Sequence, residues 1–125
     1  MKRIFTEDDL QKAQVTYLQS RRTLARDVFF CAIPNAAQMI TSRGQPNYKL
    51  SQYLRSQGLV PGAPDLIVWQ RGRTFHIENK VKGRRQSADQ ESFEAALKAL
   101  GHSYHLISAE TPGDAVTQLE ELLGS

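Results

Sequence analysis

Cysteine and long apolar runs are almost absent from this chain. Cys31 is its one cysteine, which excludes an internal disulfide bond and a cysteine-rich zinc module. No apolar run approaches the length of a membrane span, and the N-terminal residues enter polar sequence without the apolar stretch of a signal peptide. We therefore expect a cytoplasmic protein with no membrane partner. We also expect Cys31 to be a buried thiol in the apolar strand from Val28 to Ile33.

Acidic residues are scarce in the first two thirds of the chain. Through Arg85 there are fifteen Lys or Arg against six Asp or Glu, and after it one against seven. A basic region of this size favours a polyanionic partner, because each cation that meets a phosphate releases counterions. The residues predicted to bind nucleic acid are Lys82, Arg84, Arg85 and Arg43. For residues 81–86 the alternative is an ordinary solvated loop.

The length of 125 residues and the 40% apolar content suffice for one α/β domain over residues 1–125. Capping signals and apolar periodicity predict four helices, which are Glu7 to Leu24, Tyr48 to Gln57, Ser87 to Gly101 and one that starts at Thr111. The predicted strands are Val28 to Ile33, one that starts at Asp65, one around Phe75 to Val81, and Tyr104 to Ile107. A polar loop from Ala36 to Asn47 contains Arg43. Trp69 and the tyrosines are expected in the core, with Tyr48 as an alternative candidate for stacking on an unpaired base.

Two carboxylates and a lysine fall on a predicted hairpin, whose turn is Gln70-Arg71-Gly72-Arg73. Glu78 and Lys80 emerge on one face of their strand because side chains alternate, and Asp65 should lie near Glu78 on the neighbouring strand. Such a pair of carboxylates suits a hard divalent cation, and a lysine beside it can orient water or offset phosphate charge. The alternative is a solvated strand face, where Glu-x-Lys is common.

Without the helix between the first two strands and the last helix, the predicted order is αβββαβ. This α/β arrangement, with a mixed central sheet flanked by helices, resembles the restriction-endonuclease-like nucleases. Their PD-(D/E)xK signature matches Pro64-Asp65 and Glu78-Asn79-Lys80. Within that superfamily the chain is similar to small stand-alone VRR-NUC domains, over about Glu7 to His105. The matching positions are Glu7 with Gln11, Gly62-Ala63-Pro64-Asp65, Glu78-Asn79-Lys80 and Gln90. Asn79 departs from the pattern, which more usually has an apolar residue there.

The resemblance implies a site for Mg²⁺ or Mn²⁺. The implied ligands are the carboxylates of Asp65 and Glu78 and the backbone carbonyl of Asn79. Lys80 is implied to assist the attacking water.

Glu7 in the first helix and Gln90 downstream of the lysine each have two interpretations. By resemblance, Glu7 is a catalytic and metal-binding residue, but it is equally a helix-start acid favoured by the helix dipole, and Asp8 or Asp9 could take its place. Gln90 is implied as a catalytic residue, but it also completes a capping box with Ser87.

The function that the resemblance implies is a Mg²⁺- or Mn²⁺-dependent DNA endonuclease that hydrolyses phosphodiester bonds. A structure-selective substrate such as a Holliday junction or other branched DNA is implied. A homodimer is predicted because two sites would suit paired cuts across a junction. Two alternatives stay open: a DNA-binding accessory module that keeps the nuclease fold without catalysis, and a nuclease that acts on RNA.

Overall fold

The computed structural model describes residues 3–33 and 48–124. The predicted element order is confirmed, including the helix between the first two strands and the helix at the end. The elements are α1 (Glu7–Leu24), β1 (Phe29–Ala32), α2 (Tyr48–Ser56), β2 (Leu66–Gln70), β3 (Arg73–Val81), α3 (Ala88–Ala99), β4 (His105–Ala109) and α4 (Pro112–Leu123). The predicted loop from Ala36 to Asn47, with Arg43, lies outside the described residues. Within the described part of the chain, no helix is long and apolar enough to cross a membrane.

Local signals determine where two of these helices begin. Thr6 accepts from the Asp9 N–H, and the Asp9 side chain accepts from the Thr6 N–H, so a reciprocal capping box starts α1. Ser87 and Gln90 form the same arrangement at the start of α3. Both boxes satisfy backbone donors that a helix leaves without partners in its first turn.

The β2–β3 hairpin turns through two residues with positive φ. Arg71 has φ of 43° and Gly72 of 80°, which is the requirement of the tight turns that match the twist of an antiparallel pair. The resulting register pairs Leu66 with Ile77, so that Asp65, one residue earlier, faces Glu78, one residue later.

The four strands form one mixed sheet in the order β1-β2-β3-β4. β1 and β2 are antiparallel, β2 and β3 are antiparallel, and β3 and β4 are parallel. The parallel pair requires a crossover connection, and α3 lies within it. This sheet flanked by helices is the predicted fold class.

One face of the sheet holds the apolar core. Side chains of α1 and α4 pack there against alternate residues of the strands. The buried members are Leu10, Leu18, Val28, Leu66, Val68, Phe75, Ile77, Ile107, Ala109, Ala115, Leu119 and Leu123. Glu78 and Lys80 fall on the opposite face, because they alternate with Ile77 and Asn79 along β3.

The prediction of a buried Cys31 is wrong, because its thiol is exposed. β1 is an edge strand among the described residues, and Cys31 pairs with Ile67 on the face opposite the core. Trp69 and Phe29 share that face, where both are exposed and their rings meet edge to face with centroids 6.0 Å apart. The core assignment of Trp69 is therefore also wrong. Tyr48 and Tyr53 are exposed as well, whereas Tyr104 is buried.

Candidate functional site

Asp65 and Glu78 lie next to each other across the β2–β3 hairpin. Asp65 directly precedes β2, and its Oδ2 accepts a 2.8 Å hydrogen bond from the backbone N–H of Asn79. Glu78 is only 2% exposed. Its burial, followed by the adjacent Asp65 carboxyl group, raises the pKa of Glu78 to about 9, because both effects disfavour the charged form. The pair therefore favours a shared proton, or a cation beside it, over two full negative charges.

Lys80 follows Glu78 on the same face of β3. Its Nζ lies 3.4 Å from Oε1 of Glu7, and the Lys80 side chain is 12% exposed. Glu7 is the first residue of α1, so the capping box at Thr6 and Asp9 fixes the backbone from which this carboxylate reaches the sheet. The structure thus places Glu7 next to Lys80. The Glu7 carboxylate partly offsets the positive charge of the Lys80 ammonium group.

Gln90 completes the predicted capping box and also contacts Glu78. Its Oε1 accepts from the Ser87 N–H at 2.8 Å, and its Nε2 donates to Glu78 Oε1 at 3.1 Å. One amide group can do both because its oxygen accepts while its nitrogen donates. Gln90 therefore connects the start of α3 to the Glu78 carboxyl group.

A buried amide pair behind the site was not predicted. Gln14 and Asn79 are 0% and 1% exposed. Gln14 Nε2 donates to Asn79 Oδ1 at 2.9 Å, and Asn79 Nδ2 donates to Gln14 Oε1 at 2.6 Å. The signal was present in the sequence, since Gln14 interrupts the apolar stripe of Leu10 and Leu18 at helical spacing. A polar residue in such a stripe requires a buried partner.

Tyr104 is a second residue near the site that the sequence did not single out. Its hydroxyl accepts from Gln86 Nε2 at 3.1 Å. Burial, followed by the nearby Glu78, raises the pKa of Tyr104 above its ordinary value. The hydroxyl therefore stays protonated over the working pH range and can still donate a hydrogen bond.

Three of the four residues predicted to bind nucleic acid lie directly after Lys80. Lys82, Arg84 and Arg85 are exposed, and Lys82 Nζ is 4.0 Å from Glu110 Oε1. An exposed pair at this distance is weak and is screened by salt. Arg43 lies outside the described residues.

The donor set is compatible with a hard cation that takes few protein ligands. Among residues 3–33 and 48–124, no group of three Asp, Glu, His or Cys side chains is arranged to hold a metal ion. The Asp65 and Glu78 carboxyl groups are adjacent, and Glu7 pairs with Lys80. Mg²⁺ is often bound by one or two carboxylates and completes its shell with water and substrate phosphate. The pair fits that mode of binding, while the metal role predicted for Glu7 stays a prediction.

Comparison with known proteins identifies a fold. No family model matches the chain, and no curated protein matches it. A solved structure described as a "VRR_NUC domain protein" matches with a TM-score of 0.58 and 16% sequence identity, over 98% of this chain and 91% of that one. A likeness at this identity concerns the backbone alone. The chain therefore has an α/β fold similar to that of this VRR_NUC domain protein.

Proposed function

We propose that this chain is a Mg²⁺- or Mn²⁺-dependent nuclease that hydrolyses phosphodiester bonds in DNA. The observation that carries the proposal is the Asp65–Glu78 pair, which is held next to Lys80 in a fold similar to a VRR-NUC domain. Two adjacent carboxyl groups, one of them almost fully buried, are costly unless a proton or a cation lies between them. A divalent cation supplies the required charge.

The metal would be held by the carboxylates of Asp65 and Glu78 and the backbone carbonyl of Asn79. When bound, it would polarise the scissile phosphate and acidify a water molecule. The Asn79 N–H holds the Asp65 carboxylate, and the Gln90 amide holds that of Glu78. Both hydrogen bonds fix the orientation of a ligand before any metal arrives, which lowers the cost of organising the site.

Lys80 would act on the substrate side of the carboxylates. Its ammonium group can orient the attacking water or offset the negative charge that builds on the phosphate in the transition state. Glu7 holds Lys80 at the edge of the site by their 3.4 Å ion pair. In this role Glu7 needs no contact with the metal.

The DNA backbone would follow the exposed cations Lys82, Arg84 and Arg85, which continue from Lys80 along the chain. Such contacts position a substrate without reading its sequence. Selection of branched DNA and a homodimer that makes paired cuts are parts of the proposal that rest on the sequence resemblance. Sedimentation of monomer alone, with and without DNA at working concentration, would contradict the dimer.

The test is cleavage of labelled duplex, flap and four-way-junction DNA, and of matching RNA, with Mg²⁺, Mn²⁺ or EDTA. Wild type is compared with Lys80→Ala. The control is Lys98→Ala, because Lys98 is an exposed lysine that pairs with Glu94 on α3. We expect metal-dependent cutting of DNA, reduced about 100-fold or more by Lys80→Ala and unchanged by Lys98→Ala. Binding without cutting in either metal would instead identify an accessory DNA-binding module.

A further inference from the structure

The Gln14–Asn79 pair joins three elements behind the site. Besides its two hydrogen bonds to Asn79, Gln14 donates from Nε2 to the backbone carbonyl of Ala115 at 3.3 Å. The pair therefore ties α1 to β3 and to the first turn of α4. Asn79 is also the residue whose backbone N–H holds Asp65, so the network extends to a proposed metal ligand.

Stability alone does not account for two amides in this position. Apolar side chains of similar shape can replace a buried hydrogen-bonded pair with little loss of stability, whereas an amide left without its partner is strongly unfavourable. The surrounding apolar contacts include Leu10, Leu18 and Ile77. What the amide pair adds to them is a defined alignment of the elements that it joins. Apolar contacts tolerate sliding, but a reciprocal amide pair is satisfied in one alignment only.

The alignment in question is that of α1 along the sheet. Gln14 lies seven residues after Glu7, which is roughly 10 Å along the helix and two turns, so both side chains leave the same side of α1. A slip of α1 by one turn would move Glu7 by about 5.4 Å. That distance exceeds the 3.4 Å contact between Glu7 and Lys80, and the slip would also leave Gln14 and Asn79 buried without partners.

We propose that Gln14 is a positioning residue, which fixes α1 on β3 through the Asn79 side chain so that Glu7 reaches Lys80 and Asp65 stays aligned with Glu78. This role rests on the proposed nuclease function. The Asn79 side chain thereby has a positioning role, in addition to the metal-binding role proposed for its backbone carbonyl.

The test replaces both amides by apolar groups in the variant Gln14→Leu/Asn79→Leu. A second variant exchanges them, as Gln14→Asn/Asn79→Gln, which keeps both amides and the summed length of the two side chains. For each protein, four quantities are measured: the midpoint of thermal unfolding without metal, the dissociation constant for Mn²⁺ by calorimetric titration, and kcat and KM for DNA cleavage.

We expect the double-leucine variant to fold with an unfolding midpoint near that of wild type. Its dissociation constant for Mn²⁺ should rise and its kcat should fall, each by about 10-fold or more, with KM for DNA little changed. The exchanged pair should recover most of both losses. A folded double-leucine variant that equals wild type in Mn²⁺ affinity and in kcat overturns the proposal and leaves the pair a purely structural role.

Two further outcomes are also decisive. If wild type cleaves nothing, the proposed function fails, but the Mn²⁺ affinity of the double-leucine variant still decides whether the pair orients the carboxylates. If the double-leucine variant does not fold, Gln14→Met is measured in the same way, because methionine keeps the length of glutamine and removes its amide. Unchanged Mn²⁺ affinity and kcat in a folded Gln14→Met variant would overturn the proposal.

Discussion

Gly62 packs directly against the backbone of Asp89. A Cβ atom at Gly62 would lie 2.3 Å from both the carbonyl carbon and the carbonyl oxygen of Asp89, and 2.7 Å from the N atom of Gln90. The segment that leads to Asp65 therefore touches the first turn of α3, which carries Gln90. This contact sets the distance between the Asp65 side of the site and the residue that holds Glu78.

We predict that Gly62→Ala disrupts the site as well as the fold. Gly62 has φ of +86°, so alanine there adds a strained backbone to the clash with Asp89, and together they should lower the free energy of unfolding by about 2 to 5 kcal/mol. Thermal unfolding and single-turnover cleavage measure the two effects. We expect cleavage to fall even at a temperature where the variant is fully folded.

Gly101→Ala is the matched control for this change. Gly101 has nearly the same φ, +84°, and nothing within 4 Å of the position of its added Cβ atom. Gly101→Ala should lower the free energy of unfolding only by the cost of alanine in the left-handed region, about 1–2 kcal/mol. Cleavage by the folded variant should be unchanged. If the two variants lose equal stability and activity, the close approach of Gly62 to Asp89 has no role in the site.

The two contacts of Gln90 can be separated by Gln90→Glu. Glutamate at this position keeps the capping box, but it places a second carboxylate against Glu78 when Glu78 is charged. We expect an unfolding midpoint closer to wild type than that of Gln90→Ala, which should lose about 1 kcal/mol of stability with the cap. Cleavage by Gln90→Glu should nevertheless fall about 10-fold or more. If Gln90→Glu cleaves at the wild-type rate, Gln90 acts only as a cap.

Acid should weaken the junction between α1 and β1. Arg21 Nε donates to Asp27 Oδ1 at 3.1 Å, and a second guanidinium nitrogen binds Oδ2. The hydrogen bonds from Arg21 hold the pKa of Asp27 below its ordinary value of 3.8. Because the folded state has the lower pKa, this contribution to stability is complete above the ordinary value and is lost as the pH falls through the folded-state pKa.

Asp27→Asn should therefore have a lower unfolding midpoint than wild type at pH 7, and the difference should shrink below about pH 4. Thermal unfolding across this pH range measures it. Glu120→Gln, at an exposed position on α4, serves as the control and should follow wild type throughout. A difference between Asp27→Asn and wild type that persists unchanged to pH 2 would contradict this account.

The parts of the fold that depend on near neighbours were predictable. Both capping boxes join residues three apart, and the hairpin register follows from the turn at Arg71 and Gly72. The contact of Asp65 with Glu78 followed from that register. Local patterns of this kind can be recognised in the sequence, because the residues that form them lie only a few positions apart.

The predictions that failed depended on how the elements pack. Cys31 and Trp69 lie in apolar strands, but their burial depends on which face of the sheet the helices cover, and strand alternation does not specify that face. The pairing of Gln14 with Asn79 joins residues 65 positions apart. No local pattern indicates which buried polar groups meet across such a separation.

The central claim is that Asp65 and Glu78 form one metal site, and calorimetric titration with Mn²⁺ tests it most directly. Wild type is compared with Asp65→Asn, with Glu78→Gln, and with Asp114→Asn as a control at an exposed acid in the first turn of α4. We predict that wild type and Asp114→Asn bind Mn²⁺ equally, and that each site variant binds at least about 10-fold more weakly while remaining folded. Equal Mn²⁺ affinity in wild type and both site variants, or no binding by wild type, would contradict the account.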